Sequence, residues 1–170
     1  MKNCCFTGYR PGKFPFALRD GKPEYETLKI EITAALLDFQ AEGYSTFYTG
    51  AAMGFDLIAA EQAILLRDRY KATELRVICV IPFAEQALRY PPDWRRRYEQ
   101  VLAQADSVVL VSDVYFPGCY QQRNRWMVDH SEAVLTWFDG QAGGTKNTIG
   151  YAERKNRKII NLNTAEPIAD

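Results

Sequence analysis

The chain has 170 residues, a length that suits one domain with a full core. Hydrophobic residues make up 47% and charged residues 25%, an ordinary soluble globular composition with no apolar run long enough to span a bilayer. Lys plus Arg balance Asp plus Glu at 21 each, which argues against broad nonspecific nucleic-acid binding.

Lys2–Thr7 predicts a first strand. The stretch before it lacks the apolar core and cleavage site of a signal peptide, so a cytoplasmic location is expected. Cys4, Cys5, Cys79 and Cys119 show no CxxC or paired Cys/His spacing, so the expectation is buried reduced thiols and no metal site. The loop Tyr9–Pro23 carries Tyr9, Phe14, Phe16 and prolines, and its length suits a segment that closes over a ligand.

Tyr25–Glu42 predicts a helix with Leu28, Ile32, Ala35, Leu36 and Phe39 on one face. A short strand, Thr46–Thr49, runs into Gly50-Ala51-Ala52-Met53-Gly54. Phe55–Tyr70 follows as a helix with Leu57, Ala60, Ile64 and Leu65 facing inward. Leu75–Ile81 is apolar almost throughout, as in a strand covered on both faces. Pro82, Pro91 and Pro92 then break the chain, and Asp93 is expected to cap a helix from Trp94 to Gln104. Helical geometry spreads Arg95, Arg96 and Arg97 around that axis, with Arg95 in reach of Glu99, so they read as a solvated face. Ser107–Val111 is a strand, Gln121–His130 a helix, Ala133–Phe138 a strand, Thr145–Asn156 a helix and Lys158–Leu162 a last strand. Alternating β and α units imply a parallel sheet whose ligands sit beyond the carboxyl ends of the strands.

Three turns leave those ends with small or polar residues: Thr7-Gly8-Tyr9-Arg10, Thr49-Gly50-Ala51-Ala52-Met53-Gly54, and Gly143-Gly144-Thr145. The third carries the clearest chemistry. Glycines let the backbone approach a ligand, and the helix that follows presents unpaired N–H groups and a positive dipole end, which together make an anion site. The turn does not have P-loop spacing, and no loop has G-x-G-x-x-G, so a dehydrogenase is disfavoured. Arg123 lies near the start of its helix, the end that disfavours a cation unless an anion is close by. His130, beside Asp129 at a helix end, reads as a dipole-stabilised surface histidine.

Phe6-Thr7-Gly8-Tyr9-Arg10-Pro11, Tyr48 through Asp56, Arg123-Asn124-x-Trp126-Met127-Val128-Asp129 and Gly143-Gly144-Thr145-x-x-Thr148 together resemble the YpsA family of the SLOG superfamily, in order and over nearly the whole chain. The resemblance implies an α/β fold, a Rossmann-like three-layer α/β/α arrangement with a mainly parallel sheet, with residues 1–170 as one domain. It also implies a pocket for a nucleotide-derived ligand.

The Lonely Guy phosphoribohydrolases of that superfamily release a base from a nucleoside monophosphate. By similarity, Arg123 matches their helix arginine, and Gly143, Gly144 and Thr145 match their phosphate turn. Thr148 stands where they carry a catalytic glutamate, so the resemblance supports holding a nucleotide more than cutting one.

The expectation is therefore a sensor or regulatory module that binds a nucleotide, ADP-ribose or NAD-like ligand and requires no cofactor for chemistry. Gly143, Gly144 and Thr145 would hold phosphate, with Arg123 adding a charge-assisted contact. Thr7, Gly8, Arg10, Gly50, Gly54 and Asp56 would line the base and ribose side, and Ala51, Asn124 and Thr148 are further ligand-binding candidates. The first alternative is N-glycosidic hydrolysis, with Asp56 or Glu153 as the acid. A second alternative is single-stranded DNA binding, as in DNA-processing protein A, against which the neutral charge and the lack of an evident basic stripe speak. No membrane partner is expected, and a homodimer is compatible with the reading.

Overall fold

The strand β1 (Lys2–Gly8) lies between β2 (Tyr44–Thr49) and β5 (Ala133–Trp137) in a six-stranded sheet. With β3 (Arg76–Ile81), β4 (Ser107–Leu110) and β6 (Lys158–Asn161), the order is β4-β3-β2-β1-β5-β6, and every neighbouring pair is parallel. The computed structural model describes residues 1–70 and 74–164. The chain steps outward from β1 to β4, then crosses back to set β5 on the other flank of β1. The switch point therefore falls between β1 and β5, where Thr7 pairs with Thr136 and Gly8 with Trp137. Connections leaving these two strand ends diverge, and a crevice opens between them.

Both faces of the sheet are covered, which explains its near-continuous apolar strands. In β1, Cys4 and Phe6 face the layer of α1 (Pro23–Ala41), α2 (Phe55–Arg69) and α3 (Pro92–Gln104). Cys5 faces α4 (Cys119–Asp129) and α5 (Gly144–Arg154). Phe6 stacks on Phe47 at 5.8 Å, and Phe39 of α1 meets Tyr44 edge-on at 4.8 Å. All four cysteines are buried and free, and burial pushes the thiols of Cys5 and Cys79 up to about 12.

Three expectations need correction. Leu65 is 41% exposed, because about 100° per residue carries it off the stripe set by Leu57, Ala60 and Ile64. Asp93 does not cap α3. Pro91 takes that place and Pro92 the first helical position, where its fixed φ suits the start and its missing N–H costs nothing; Asp93 instead pairs with Arg96 at 3.4 Å. The strand β2 begins at Tyr44 rather than Thr46. The loop after β1 is anchored at its front. Tyr9 is 1% exposed, and Tyr9, Phe14 and Phe16 pack on Trp137 at 5.8, 4.8 and 5.8 Å.

The arginine run on α3 keeps Arg95 and Arg96 exposed, as a solvated face would, and commits only Arg97 to packing. Arg95 pairs with Glu99 at 3.4 Å, and Arg97 forks onto Glu61 of α2 at 2.7 and 2.6 Å while lying 4.2 Å over Trp94. The His130 Nδ1 lies 2.7 Å from the Trp126 carbonyl at the exposed end of α4, its ring stacked on Trp126 at 3.8 Å.

Candidate functional site

The turn from β5 into α5 builds one wall of the crevice. Gly143 has φ 145°, a backbone conformation that favours glycine. The Lys13 ammonium donates to the Ala142 carbonyl at 2.8 Å and thereby sits against the turn. The first helical bond at this end of α5 runs from Asn147 N–H to the Gly143 carbonyl at 3.1 Å. The N–H groups of Gly144, Thr145 and Lys146 therefore have no helical acceptor, and they carry the positive end of the dipole. A Cβ on Gly144 would meet nothing within 4 Å, so this residue borders open space.

Arg123 and Asp56 build the floor. The Arg123 side chain is 3% exposed and donates from Nη1 to the carbonyls of Gly50 and Val80 and to Gln86 Oε1. Its Nε donates to Asn124 Oδ1 at 2.7 Å. The remaining nitrogen, Nη2, makes no hydrogen bond among the described residues, while the residue lines the crevice. Gly50 is glycine because a Cβ would fall 2.2 Å from Arg123 Nη1 and 2.9 Å from Asp56 Oδ2. Asp56, in the first turn of α2, is 5% exposed. Burial pushes its carboxyl up to about 6, against the opposing pull of Arg123, Arg10 and the N–H groups of Ala52 and Gly8. Burial lowers the Arg123 guanidinium, and Asp56 is the strongest influence holding it charged.

Asn124 ties floor to wall. Its Nδ2 donates to Thr148 Oγ1 at 3.0 Å, and Thr148 Oγ1 donates to the Gly144 carbonyl at 3.0 Å. Thr148 is 4% exposed, so its hydroxyl is committed to this bridge.

The inner cavity, about 270 Å³, is lined by Thr7, Gly8, Arg10, Asp56, Arg123, Asn124, Gly144 and Thr145 among the residues expected from sequence. Gly143 and Thr148 line an adjoining outer groove of about 970 Å³. Gly50, Ala51 and Gly54 line neither. They are the backing: the Gly50 and Ala51 carbonyls accept from Gln86 Nε2 at 3.0 and 3.2 Å, and Gly54, at φ 90°, lets Phe55 N–H reach the Tyr9 carbonyl at 3.0 Å. Glu153 lines only the outer groove and Asp56 only the inner cavity.

The inner cavity also takes in Tyr9 and Ala52 from two of the three turns and Gly12 and Lys13 from the Tyr9–Pro23 loop, whereas no sequence signal marked Tyr120 there, nor Arg125, Lys146, Tyr151 and Arg154 in the outer groove. The last four lie on α4 and α5, which pack together, so their convergence is a tertiary fact. Among the described residues, no cluster of three or more His, Cys, Asp or Glu is placed to hold a metal ion, and no helix is long and apolar enough to cross a membrane.

The fold agrees with what the chain is similar to. DNA-processing protein A from Helicobacter pylori, a single-stranded DNA binder, superposes with a TM-score of 0.63 at 16% identity, over 98% of this chain and 69% of that one. The same protein from Streptococcus pneumoniae gives 0.58 at 18% identity over 93% of this chain, which spans about half (49%) of that one. These likenesses show the fold. Sequence relatives reach further: UPF0398 protein YpsA of Bacillus subtilis (strain 168) is 31% identical over 158 residues, 91% of this chain and 86% of that protein. The SPbeta prophage-derived protein YoqJ of the same organism is 30% identical over 145 residues, 78% and 84% of the two chains. The model of the YspA SLOG family (YpsA) matches residues 4–165, a span that holds the α5 turn and the floor of the crevice, and the chain belongs to that family.

Proposed function

We propose that the chain binds a nucleotide or nucleotide-derived phosphate ligand in the β1/β5 crevice and acts as a sensor or regulatory module. One observation carries this reading. The buried Arg123 keeps Nη2 without a hydrogen bond among the described residues, in a cavity it shares with Gly144 and Thr145, whose N–H groups have no helical acceptor. A phosphate set between them would meet N–H donors, a dipole end and a charge-assisted bond at once. Asp56 in the same cavity offers a carboxylate to ribose hydroxyls, and Lys13 adds a cation at the turn.

A panel of nucleoside phosphates, ADP-ribose and NAD in a thermal-shift assay tests this. Stabilisation by at least one of them supports the reading. No response from any of them sinks it.

Hydrolysis of an N-glycosidic bond is the second reading, and the carboxyl of Asp56, raised to about 6 inside the cavity, is what favours it. It lacks a partner acid: Glu153 belongs to the other cavity, and the glutamate position on α5 is a threonine whose hydroxyl is already bonded. Release of free base from nucleoside monophosphates, lost in Asp56→Asn, would establish it over simple binding.

A further inference from the structure

The outer groove has a charge character that the chain as a whole does not. Its lining carries Arg10, Arg125, Lys146 and Arg154 against one acid, Glu153, in a chain whose net charge is zero. None of these four cations forms an ion pair among the described residues, whereas the three arginines of α3 all do. Arg10 lies 5.6 Å over Tyr120, and Arg125 and Arg154 lie 5.5 and 5.8 Å over Tyr151, so three of the four cations sit against the groove's two tyrosine rings. Unpaired like charges gathered on one concave surface repel one another unless an anion joins them. The groove and the inner cavity share Arg10, Tyr120, Asn124 and Gly144, so they are continuous across Gly144.

We infer that the outer groove is a second phosphate subsite, and that the ligand is a pair of joined phosphate-bearing units rather than a single mononucleotide. This rests on the nucleotide reading of the inner cavity. The first unit sits inside, at Arg123 and the α5 turn. The linkage crosses Gly144, where the absence of a side chain leaves the passage open. The second unit lies between Tyr120 and Tyr151, its phosphate taken by Arg125, Lys146 and Arg154. A phosphodiester-linked dinucleotide and an anhydride-linked one such as ADP-ribose both present this chemistry.

Titration calorimetry with AMP, the 5′-phosphorylated dinucleotide pApA, and ADP-ribose tests the inference, on the native chain and on Arg125→Gln/Arg154→Gln. These two side chains are exposed and touch the inner cavity nowhere, so the fold tolerates the change. The expected result is that pApA, ADP-ribose or both bind about tenfold or more tightly than AMP, and that the double variant erases the advantage while AMP affinity stays within about twofold. A preference for pApA assigns the phosphodiester linkage, and a preference for ADP-ribose the anhydride. AMP binding as tightly as both longer ligands overturns the second subsite and leaves the inner site standing, as does a variant that weakens all ligands equally. If no ligand binds, the nucleotide reading fails and the second subsite with it.

Discussion

Asn124 Nδ2 donates to Thr148 Oγ1 at 3.0 Å, joining α4 to the first turns of α5. Through Asn124 Oδ1 the link continues to Arg123 Nε, and through the Thr148 hydroxyl to the Gly144 carbonyl. The arginine on the floor and the glycine turn on the wall are thus held in register by two side chains. Thr148→Val keeps the shape but leaves Asn124 Nδ2 without its acceptor. It should cost about 1–3 kcal/mol in urea unfolding and weaken ligand binding, whereas Thr148→Ser should restore most of both. Equal stability of the valine and serine variants would show that the bridge contributes nothing.

Arg123→Met removes the donor to two backbone carbonyls and to Gln86, and withdraws the charge that faces Asp56. A stability loss on the order of 3 kcal/mol is expected, together with a further rise of the Asp56 carboxyl. Denaturant unfolding as a function of pH reads both.

Asp56 makes a pH signature. Its folded value, about 6, lies above the usual carboxylate value of 3.8, so the native state holds the proton more tightly than the unfolded chain. Its contribution to stability therefore falls as pH rises from 3.8 to about 6 and is level above 7. Between pH 4 and pH 7 the native chain should lose on the order of 3 kcal/mol relative to Asp56→Asn, from a shift of roughly two pH units at about 1.4 kcal/mol each. A stability difference that stays flat across that window would contradict the burial argument.

Two glycines separate backbone necessity from ligand space. Gly54 has φ 90°, and a Cβ would sit 2.3 Å from the Tyr9 carbonyl oxygen, so Gly54→Ala should cost at least about 1–3 kcal/mol through strain alone. Gly144 has ordinary helical space around it, so Gly144→Val should melt within a few degrees of the native chain. Thermal unfolding of the pair settles the contrast.

The parts legible in sequence were those written in contiguous residues. The strand-glycine-helix order at Ala133 through Arg154 and the apolar runs of β1, β3 and β5 predict the parallel sheet and the anion turn directly. The placing of Arg123 was legible as an electrostatic conflict at a helix start, although its burial was not. Lys13, Tyr120, Arg125, Lys146 and Arg154 were not legible, because they converge from three separate segments and no local period marks them. The arginine run at positions 95 to 97 reads as a solvated face, and Arg95 and Arg96 are exposed with Arg95 paired to Glu99, while only Arg97 turns in to pair with Glu61. The basic groove was missed because its residues are scattered along the chain.

The most direct test of the crevice as a phosphate site is calorimetry of the best ligand from the nucleotide panel against the native chain and Gly144→Val. The folded variant should lose at least about tenfold in affinity, because the new side chain occupies the space beside Arg123 and the α5 turn. Undiminished binding by the folded variant would place the ligand elsewhere and contradict it.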